Sequence, residues 1–301
     1  MASVQIHQVS HVAVFPSPVT ETEELLLPLS FFDAHWISIP PIQRLLLFPA
    51  APDLHYLKSS LSAVLRRFYP LAGKLTYLPA TSDVALSCSP GDHVTFIEAD
   101  SDGDFTRLAS DEIHDVDSFL RLVPELDVKV LPAAVMEVQV TRFDGGSVAV
   151  GLAIHHAVVD GHGLWLFVEA LAMACRAGEE AISGISLVHD RTLIRHHPRG
   201  DEIARRLLKK MVPKLPIINT RSRYEGTRRT FTISRDMIQS MKQRAKDGHI
   251  QYSTFTALSA LTWISLIKTK AVELQARSAG FSMACLRIKE EVDESCKCCK
   301  M

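Results

Sequence analysis

The feature that most constrains this sequence is an apolar run that ends abruptly at two histidines. Residues 149–154 read Ala-Val-Gly-Leu-Ala-Ile, and His155 and His156 follow at once. A short, uninterrupted apolar run predicts a strand that is buried on both faces. The end of such a strand fixes side chains while leaving them open to solvent, which is where catalytic groups often lie. The run therefore predicts a functional site at the end of a buried strand.

A candidate base and a candidate partner follow this strand. Asp160 comes four residues after His156, ahead of a Gly-His-Gly turn and an apolar helix predicted over residues 164–176. Histidine changes charge near neutral pH, so we expect His156 to act as a general base. Asp160 can bond an imidazole nitrogen and fix its tautomer, or it can hold the loop shape through another partner. The spacing does not decide between these two roles.

Two other interpretations of the same stretch stay open. Two histidines and an Asp-Gly turn can be ordinary polar residues at the end of a strand. A metal site is the other alternative, with His155, His156, Asp160 and His162 as its candidate ligands. Their spacing matches neither the His-Glu-x-x-His helix nor a Cys/His finger, so we predict no metal.

The whole string from His155 to Gly161, His-His-Ala-Val-Val-Asp-Gly, resembles the signature of the plant BAHD acyltransferases. These enzymes transfer acyl groups from coenzyme A to alcohols or amines. The resemblance implies that His156 is the base, that Asp160 is mainly structural, and that Gly161 belongs to the same structural motif. Residues 69–75, Tyr-Pro-Leu-Ala-Gly-Lys-Leu, are similar to a second landmark of the family. Related coenzyme-A-dependent and condensation-domain enzymes share a similar motif, so this string indicates a superfamily rather than a substrate.

Two strings near the N-terminus resemble the malonyltransferase branch of that family. They are Leu-Ser-Phe-Phe-Asp at residues 29–33 and Pro-Pro-Ile-Gln-Arg-Leu at residues 40–45. That branch uses malonyl-coenzyme A and glycosylated flavonoids or other phenolic glucosides. The resemblance therefore implies an acyl-coenzyme A co-substrate, malonyl-coenzyme A in the first place, with no bound cofactor. It also implies a small phenolic or glycoside acceptor.

Two polar residues outside the motif are candidates for substrate or coenzyme A binding in the first part of the chain. His35 either contacts substrate or packs beside Trp36, and Asp33 is expected to cap or turn the chain. Arg191 is the second candidate. In the malonyltransferase branch, an Asp-Arg near this place suits the anionic groups of the acyl donor. A guanidinium bonds both oxygens of a carboxylate at once. The alternative is that Arg191 is a solvated linker arginine.

Ser253 and Thr254 are the candidates for coenzyme A binding in the second part of the chain. They begin a helix predicted over residues 253–270. In the family, a helix N-terminus at this place lies near the coenzyme A phosphates. Free N–H groups and the positive end of the helix dipole suit a phosphate. A plain capped helix is the alternative.

The resemblance implies an α/β fold of the chloramphenicol-acetyltransferase type, with two domains, mixed sheets and flanking helices. The expected division is an N-terminal domain over residues 1–176, a crossover linker over 177–226, the start of a second domain over 227–280, and a divergent, disordered tail over 281–301. The second domain is expected to be incomplete, because the family's Asp-Phe-Gly-Trp-Gly motif is absent. Leu286 also stands where an arginine normally pairs with the motif aspartate. Apolar faces within residues 227–270 should then be exposed.

Composition limits the partners and the compartment. The balance of 33 basic and 34 acidic residues argues against a nucleic-acid partner, which usually leaves a basic footprint. The sequence shows neither an apolar run of roughly 20 residues nor a signal-peptide start, so no membrane partner is predicted. Six cysteines are sparse, which favours a reducing cytoplasm. We expect a monomer.

The leading hypothesis is an O-acyltransferase. His156 takes the proton of an acceptor hydroxyl, the oxygen attacks the thioester, and the tetrahedral oxyanion collapses to release the coenzyme A thiolate. The first rival is a truncated paralogue without turnover, which the incomplete second domain favours. The second rival is a condensation-type domain, and the strings within residues 31–48 and 69–75 weigh against it.

Overall fold

The computed structural model describes residues 3–14, 24–110, 113–194, 199–217, 228–244, 252–275 and 285–289 of the 301-residue chain. The described residues fall into two compact units. The first comprises Met1–Phe105 and Asp117–Asn219, and the second comprises Thr106–Val116 and Thr220–Met301. The mixture of sheets and helices confirms the expected α/β class.

Strands lie in both units. They are β1 (Val4–Ala13), β2 (Leu25–Pro28), β3 (Ile42–Phe48), β4 (Lys74–Leu78), β5 (Asp83–Cys88), β6 (His93–Ser101), β7 (Ile113–His114), β8 (Ala133–Ala134), β9 (Met136–Phe143), β10 (Val148–Ile154), β11 (Arg228–Ser234) and β12 (Cys285–Lys289). The helices are α1 (Phe31–Trp36), α2 (Leu54–Leu65), α3 (Phe105–Ser110), α4 (Val116–Leu120), α5 (Gly161–Ala177), α6 (Gly200–Met211), α7 (Arg235–Arg244) and α8 (Thr254–Gln275).

The larger sheet of the first unit carries the histidine motif. Its strand order is β1-β6-β9-β10-β3, and β6 and β9 run parallel while the other pairs are antiparallel. This confirms the expected mixed sheet. Strand β10 is flanked on both sides, and all seven of its residues are buried. The apolar run therefore forms the buried strand that the sequence predicts.

Helices α2 and α5 contribute to the core that covers this sheet. Helix α2 begins at an N-cap, where the Asp53 carboxylate accepts from the backbone N–H of His55 at 2.8 Å. Its apolar stripe includes Leu61 and Leu65, which are 1% and 0% exposed. Burying such a side chain stabilises the fold by about 2 kcal/mol. Helix α5 adds Phe167 to the same core, so the motif loop lies between a buried strand and a packed helix.

Gly151 shows how tightly β10 is held. A Cβ at this position would lie 2.1 Å from the carbonyl oxygen of Leu122 and 2.8 Å from the Cα of Val123. Real Cβ atoms do not approach backbone so closely, so only glycine fits here. The chain after α4 therefore packs directly on the middle of the strand that leads to His156.

The smaller sheet of the first unit positions helix α1. Its strand order is β2-β5-β4-β8, with antiparallel pairing throughout. Ala34 and Ile37, which lie in and directly after α1, are 1% and 0% exposed and belong to the core of this sheet. Ala204 and Leu208 of α6 belong to the same core. Helix α1 is therefore anchored although it is only six residues long.

Several described residues of the expected crossover linker, 177–226, pack in the cores of the first unit. Ile182 and Leu215 are 0% and 5% exposed and lie in the cores of the first unit, together with α6. The division between the units falls between residues 219 and 220, near the end of the expected linker. Apolar residues at these positions find partners on the first unit, which an estimate from local composition does not reveal.

The second unit is built on β11. This strand pairs antiparallel with β7 and parallel with β12. Strand β12 lies within residues 281–301, where we expected a disordered tail, so the expectation is wrong for residues 285–289. Backbone pairing with Thr230–Ser234 orders these five residues. The remaining residues of that tail lie outside the described part of the chain.

Helix α8 leaves much of its apolar surface uncovered, as expected for residues 227–270. Phe255, Trp263, Ile264 and Ile267 are 80%, 66%, 51% and 52% exposed. Within the described ranges, α8 included, we find no helix whose length and apolarity would let it cross a bilayer.

Candidate active site at the end of strand β10

His155 is a buried structural residue. Its backbone N–H donates to the carbonyl of Val135 at 2.8 Å, and its Nδ1 accepts from the N–H of Ala157 at 3.1 Å. Because Nδ1 accepts, the proton of the neutral ring lies on Nε2. Burial of the side chain, and secondly its closeness to His156, lowers the pKa of His155 from 6.5 to about 4. His155 therefore stays neutral at physiological pH and shapes the loop that follows.

His156 is held by stacking on an indole. Its ring lies on that of Trp36 with a centroid separation of 4.3 Å and an interplanar angle of 11°. Its Nδ1 is buried, and no hydrogen-bonding group of the described residues reaches it. The side chain as a whole is half-buried. In this structure the ring plane of the candidate base is thus set by an aromatic contact.

Asp160 caps helix α5. Its Oδ1 accepts from the backbone N–H of Gly163 at 2.7 Å, and its backbone is extended, as in a standard N-cap. The sequence left open whether Asp160 bonds an imidazole nitrogen or holds the loop shape. The observed bond corresponds to the second role. The carboxylate satisfies an otherwise unpaired donor at the start of the helix.

The glycine of the motif that has little room for a side chain is Gly163 rather than Gly161. A Cβ at Gly163 would lie 2.9 Å from Cγ2 of Val159, whereas a Cβ at Gly161 would meet nothing within 4 Å. Gly161 was expected to be structural because of its place in the string. Among the described residues, no three histidine, cysteine or acidic side chains are grouped so that they could hold a metal ion.

Arg191 is bonded to two protein groups. Its Nε donates to Oδ2 of Asp33 at 2.9 Å, and its Nη2 donates to the carbonyl of Val158 at 3.3 Å. The side chain is only 18% exposed. Neither interpretation from the sequence, an anion site or a solvated linker arginine, included these partners. The carbonyl of Val158 belongs to the motif loop itself.

Asp33 is held by a second set of bonds. It forms a capping box with Ser30, whose backbone N–H and hydroxyl donate to Oδ2 of Asp33 at 2.8 and 2.7 Å. The expected capping role of Asp33 is confirmed. His35, two residues on, is exposed and meets Trp36 edge to face at 5.7 Å. Its expected packing beside Trp36 is therefore observed.

Ser253 and Thr254 lie in the second unit at the start of α8. The hydroxyl of Ser253 accepts from the N–H of Thr256 at 3.0 Å, which is the N-cap expected from the sequence. The hydroxyl of Thr254 accepts from Nζ of Lys242 at 2.9 Å. These bonds match the plain capped helix, and a role in coenzyme A binding stays a prediction.

The first unit thus brings together His156, Trp36, Asp33 and Arg191, which come from three distant parts of the sequence. The stack on Trp36 and the pairing of Asp33 with Arg191 were not predicted from the sequence. One signal was available: Asp33 and Trp36 are three residues apart, so on a helix they share a face. It does not reveal that this face meets the motif loop.

Comparison with known proteins gives a consistent relationship. A model of the Transferase family matches residues 4–293. The chain is 32% identical over 270 residues to malonyl-CoA:anthocyanidin 5-O-glucoside-6''-O-malonyltransferase of Arabidopsis thaliana, covering 83% of the chain and 59% of that protein. It is 27% identical over 263 residues to phenolic glucoside malonyltransferase 2 of Arabidopsis thaliana, covering 81% of the chain and 58% of that protein.

The fold has a counterpart among solved structures. The crystal structure of vinorine synthase superposes with a TM-score of 0.65 at 17% identity, covering 91% of this chain and 62% of that one. The chain spans about three fifths of the length of the relatives it matches. Since the family model covers nearly the whole chain, the chain belongs to the Transferase family of BAHD acyltransferases.

Proposed function

We propose that the chain catalyses acyl transfer from an acyl-coenzyme A to a hydroxyl of a small acceptor, with His156 as the general base. The observation that carries this proposal is the half-buried imidazole at the end of β10, stacked on Trp36 with Nδ1 turned inward. That orientation leaves Nε2 as the nitrogen for the acceptor proton. Histidine is suited to this proton transfer near neutral pH.

The reaction needs a single base and no covalent enzyme intermediate. Nε2 of His156 takes the hydroxyl proton as the acceptor oxygen attacks the thioester carbonyl. The tetrahedral oxyanion then collapses, the carbon–sulfur bond breaks, and the proton returns to the coenzyme A thiolate. His155 is neutral and buried, so it does not compete for the proton. Asp160 keeps α5 and the loop in place.

Malonyl-coenzyme A is the donor we propose, with a phenolic or flavonoid glucoside as acceptor. The support is the names of the relatives, which act on anthocyanidin and phenolic glucosides. Coenzyme A enters as a co-substrate that leaves after each turnover. Ser253 and Thr254 remain candidates for its phosphates, because they begin a 22-residue helix.

The test combines binding and turnover. Malonyl-coenzyme A binding is measured by calorimetry, and transfer to a panel of phenolic glucosides is followed by mass spectrometry. We expect binding, a product heavier by one malonyl group, and a loss of about 10²- to 10⁴-fold in kcat in His156→Gln. Turnover that survives in His156→Gln would overturn the assignment of the base. Binding without any turnover in the wild type would favour the paralogue without activity.

A further inference from the structure

We propose that Arg191 and Asp33 are positioning residues that brace helix α1 against the motif loop and so keep Trp36 flat on His156. The proposal rests on the proposed function and deepens it, because it names what orients the base. It differs from the interpretation of Arg191 as an anion site.

The first support is that one guanidinium joins two separate segments. Asp33 lies in the first turn of α1, and Val158 lies two residues after His156. Arg191 donates to both, to Oδ2 of Asp33 at 2.9 Å and to the carbonyl of Val158 at 3.3 Å. The planar fork of arginine suits two acceptors at fixed positions, whereas lysine offers a point charge.

The second support is that the carboxylate end of the brace cannot turn away easily. Oδ2 of Asp33 also accepts from the backbone N–H and the hydroxyl of Ser30, at 2.8 and 2.7 Å. The side chains of Asp33 and Arg191 are only 21% and 18% exposed, so solvent ions screen the pair less than a surface pair. The charge that Arg191 meets is therefore held in one place.

The third support concerns the base itself. Nδ1 of His156 has no hydrogen-bonding partner among the described residues, and Asp160 accepts from the N–H of Gly163 at the start of α5. Within the described ranges, therefore, no carboxylate orients the ring as it would in a triad. The stack on Trp36 is the contact that sets the ring plane, and Trp36 lies one turn after Asp33 on α1. Movement of α1 relative to the loop would tilt or release the imidazole.

The position of a base matters strongly for its rate, since a misplacement of about 1 Å can cost about 10²-fold. Arg191→Met removes both bonds, and Arg191→Lys keeps the charge but cannot make both contacts in the same geometry. The matched control is Arg205→Met, because Arg205 also pairs with an aspartate, Asp83 at 3.2 Å, but lies on α6.

The first readout does not require turnover. The ring-proton signals of His156 are followed by NMR in histidine-labelled protein. They are assigned by their absence from the spectrum of His156→Gln. In the wild type we expect the upfield shift that an indole face produces. In Arg191→Met and Arg191→Lys we expect this shift to diminish, and in Arg205→Met we expect it to stay. An unchanged shift in folded Arg191→Lys would overturn the brace, whether or not the wild type turns over.

The second readout separates the brace from an anion site. A brace predicts that kcat falls about 10²-fold in Arg191→Met, with little change in KM for malonyl-coenzyme A. An anion site predicts a raised KM for malonyl-coenzyme A, no such rise for acetyl-coenzyme A, and unchanged ring-proton shifts. That second pattern would overturn the proposal while leaving His156 as the base.

Discussion

The imidazole of His156 lies flat on the indole of Trp36, with ring centroids 4.3 Å apart and planes 11° apart. When His156 accepts a proton, the resulting cation lies over an aromatic face, and such a contact is favourable by about 0.5 to 2 kcal/mol. Trp36 therefore has two effects on the proposed base. It sets the ring plane, and it favours the charged ring that forms during the reaction.

The first prediction concerns this stack. Trp36→Phe keeps an aromatic face, so we expect kcat to stay within about threefold of the wild type. Trp36→Leu removes the face, and we expect kcat to fall about 10-fold, in line with the cation–π range. The measurement is kcat at saturating malonyl-coenzyme A and acceptor. Trp263→Leu, at an exposed tryptophan of the second unit, serves as the control. Equal losses of kcat in Trp36→Phe and Trp36→Leu would contradict the role of the aromatic face.

The second prediction separates the two roles of Asp160. As the cap of α5, it accepts from the N–H of Gly163. Asp160→Asn and Asp160→Ser retain an acceptor, so both should keep stability close to that of the wild type. Asp160→Ala should lower the free energy of unfolding by about 1 kcal/mol. The measurement is urea denaturation at pH 7. A large loss of kcat in Asp160→Asn at unchanged stability would instead point to a contact with the imidazole.

Local sequence pattern predicted the elements that deliver the site. The buried strand before His155 and the capped start of α8 at Ser253 depend on neighbours close in the sequence, so periodicity and cap residues reveal them. Helix α5 was also predicted. Its Trp165, however, is 50% exposed, so this apolar helix is not buried on every side.

The contacts that define the candidate site depend on residues far apart in the sequence. Trp36 and His156 meet because the smaller sheet anchors α1 while the larger sheet delivers the loop. Arg191 joins them from a third segment. Neither hydrophobic period nor spacing encodes which side chains face each other across two sheets. The sequence therefore indicated the base but not the groups that hold it.

The third prediction concerns the strand that carries the histidines. A Cβ at Gly151 would lie 2.1 Å from the carbonyl oxygen of Leu122, and backbone cannot move aside as a side chain can. Gly151→Ala should therefore lower the free energy of unfolding by about 3 kcal/mol. Gly161→Ala is the matched control, because its Cβ would enter open space at the start of α5. That variant should be neutral or slightly more stable.

The comparison is made by thermal or urea unfolding of both variants under identical conditions. Similar stability in Gly151→Ala and the wild type would mean that residues 122 and 123 do not lie against β10 as the structure has them. Loss of stability in Gly161→Ala alone would contradict the open surroundings of that residue.

The last prediction is a pH dependence of stability that comes from His155. The side chain is 0% exposed, and burial lowers its pKa from 6.5 to about 4. Between these two values the unfolded chain binds a proton that the folded chain does not, so stability falls as pH falls. The contribution of the neutral, buried His155 to the free energy of unfolding is fully present above about pH 6.5. It is lost progressively down to about pH 4, a change of about 3 kcal/mol.

The variant that tests it is His155→Asn, whose side-chain oxygen can still accept from the N–H of Ala157, as Nδ1 does at 3.1 Å. It does not titrate, while His189, whose pKa burial also lowers, titrates equally in both proteins. Free energies of unfolding are measured in urea from pH 4 to pH 8. The wild type should lose more stability than the variant as pH falls from 6.5, because only the wild type must exclude a proton from residue 155. Parallel curves for the two proteins would show that His155 is protonated equally in the folded and unfolded states, which would contradict the lowered pKa of the buried imidazole.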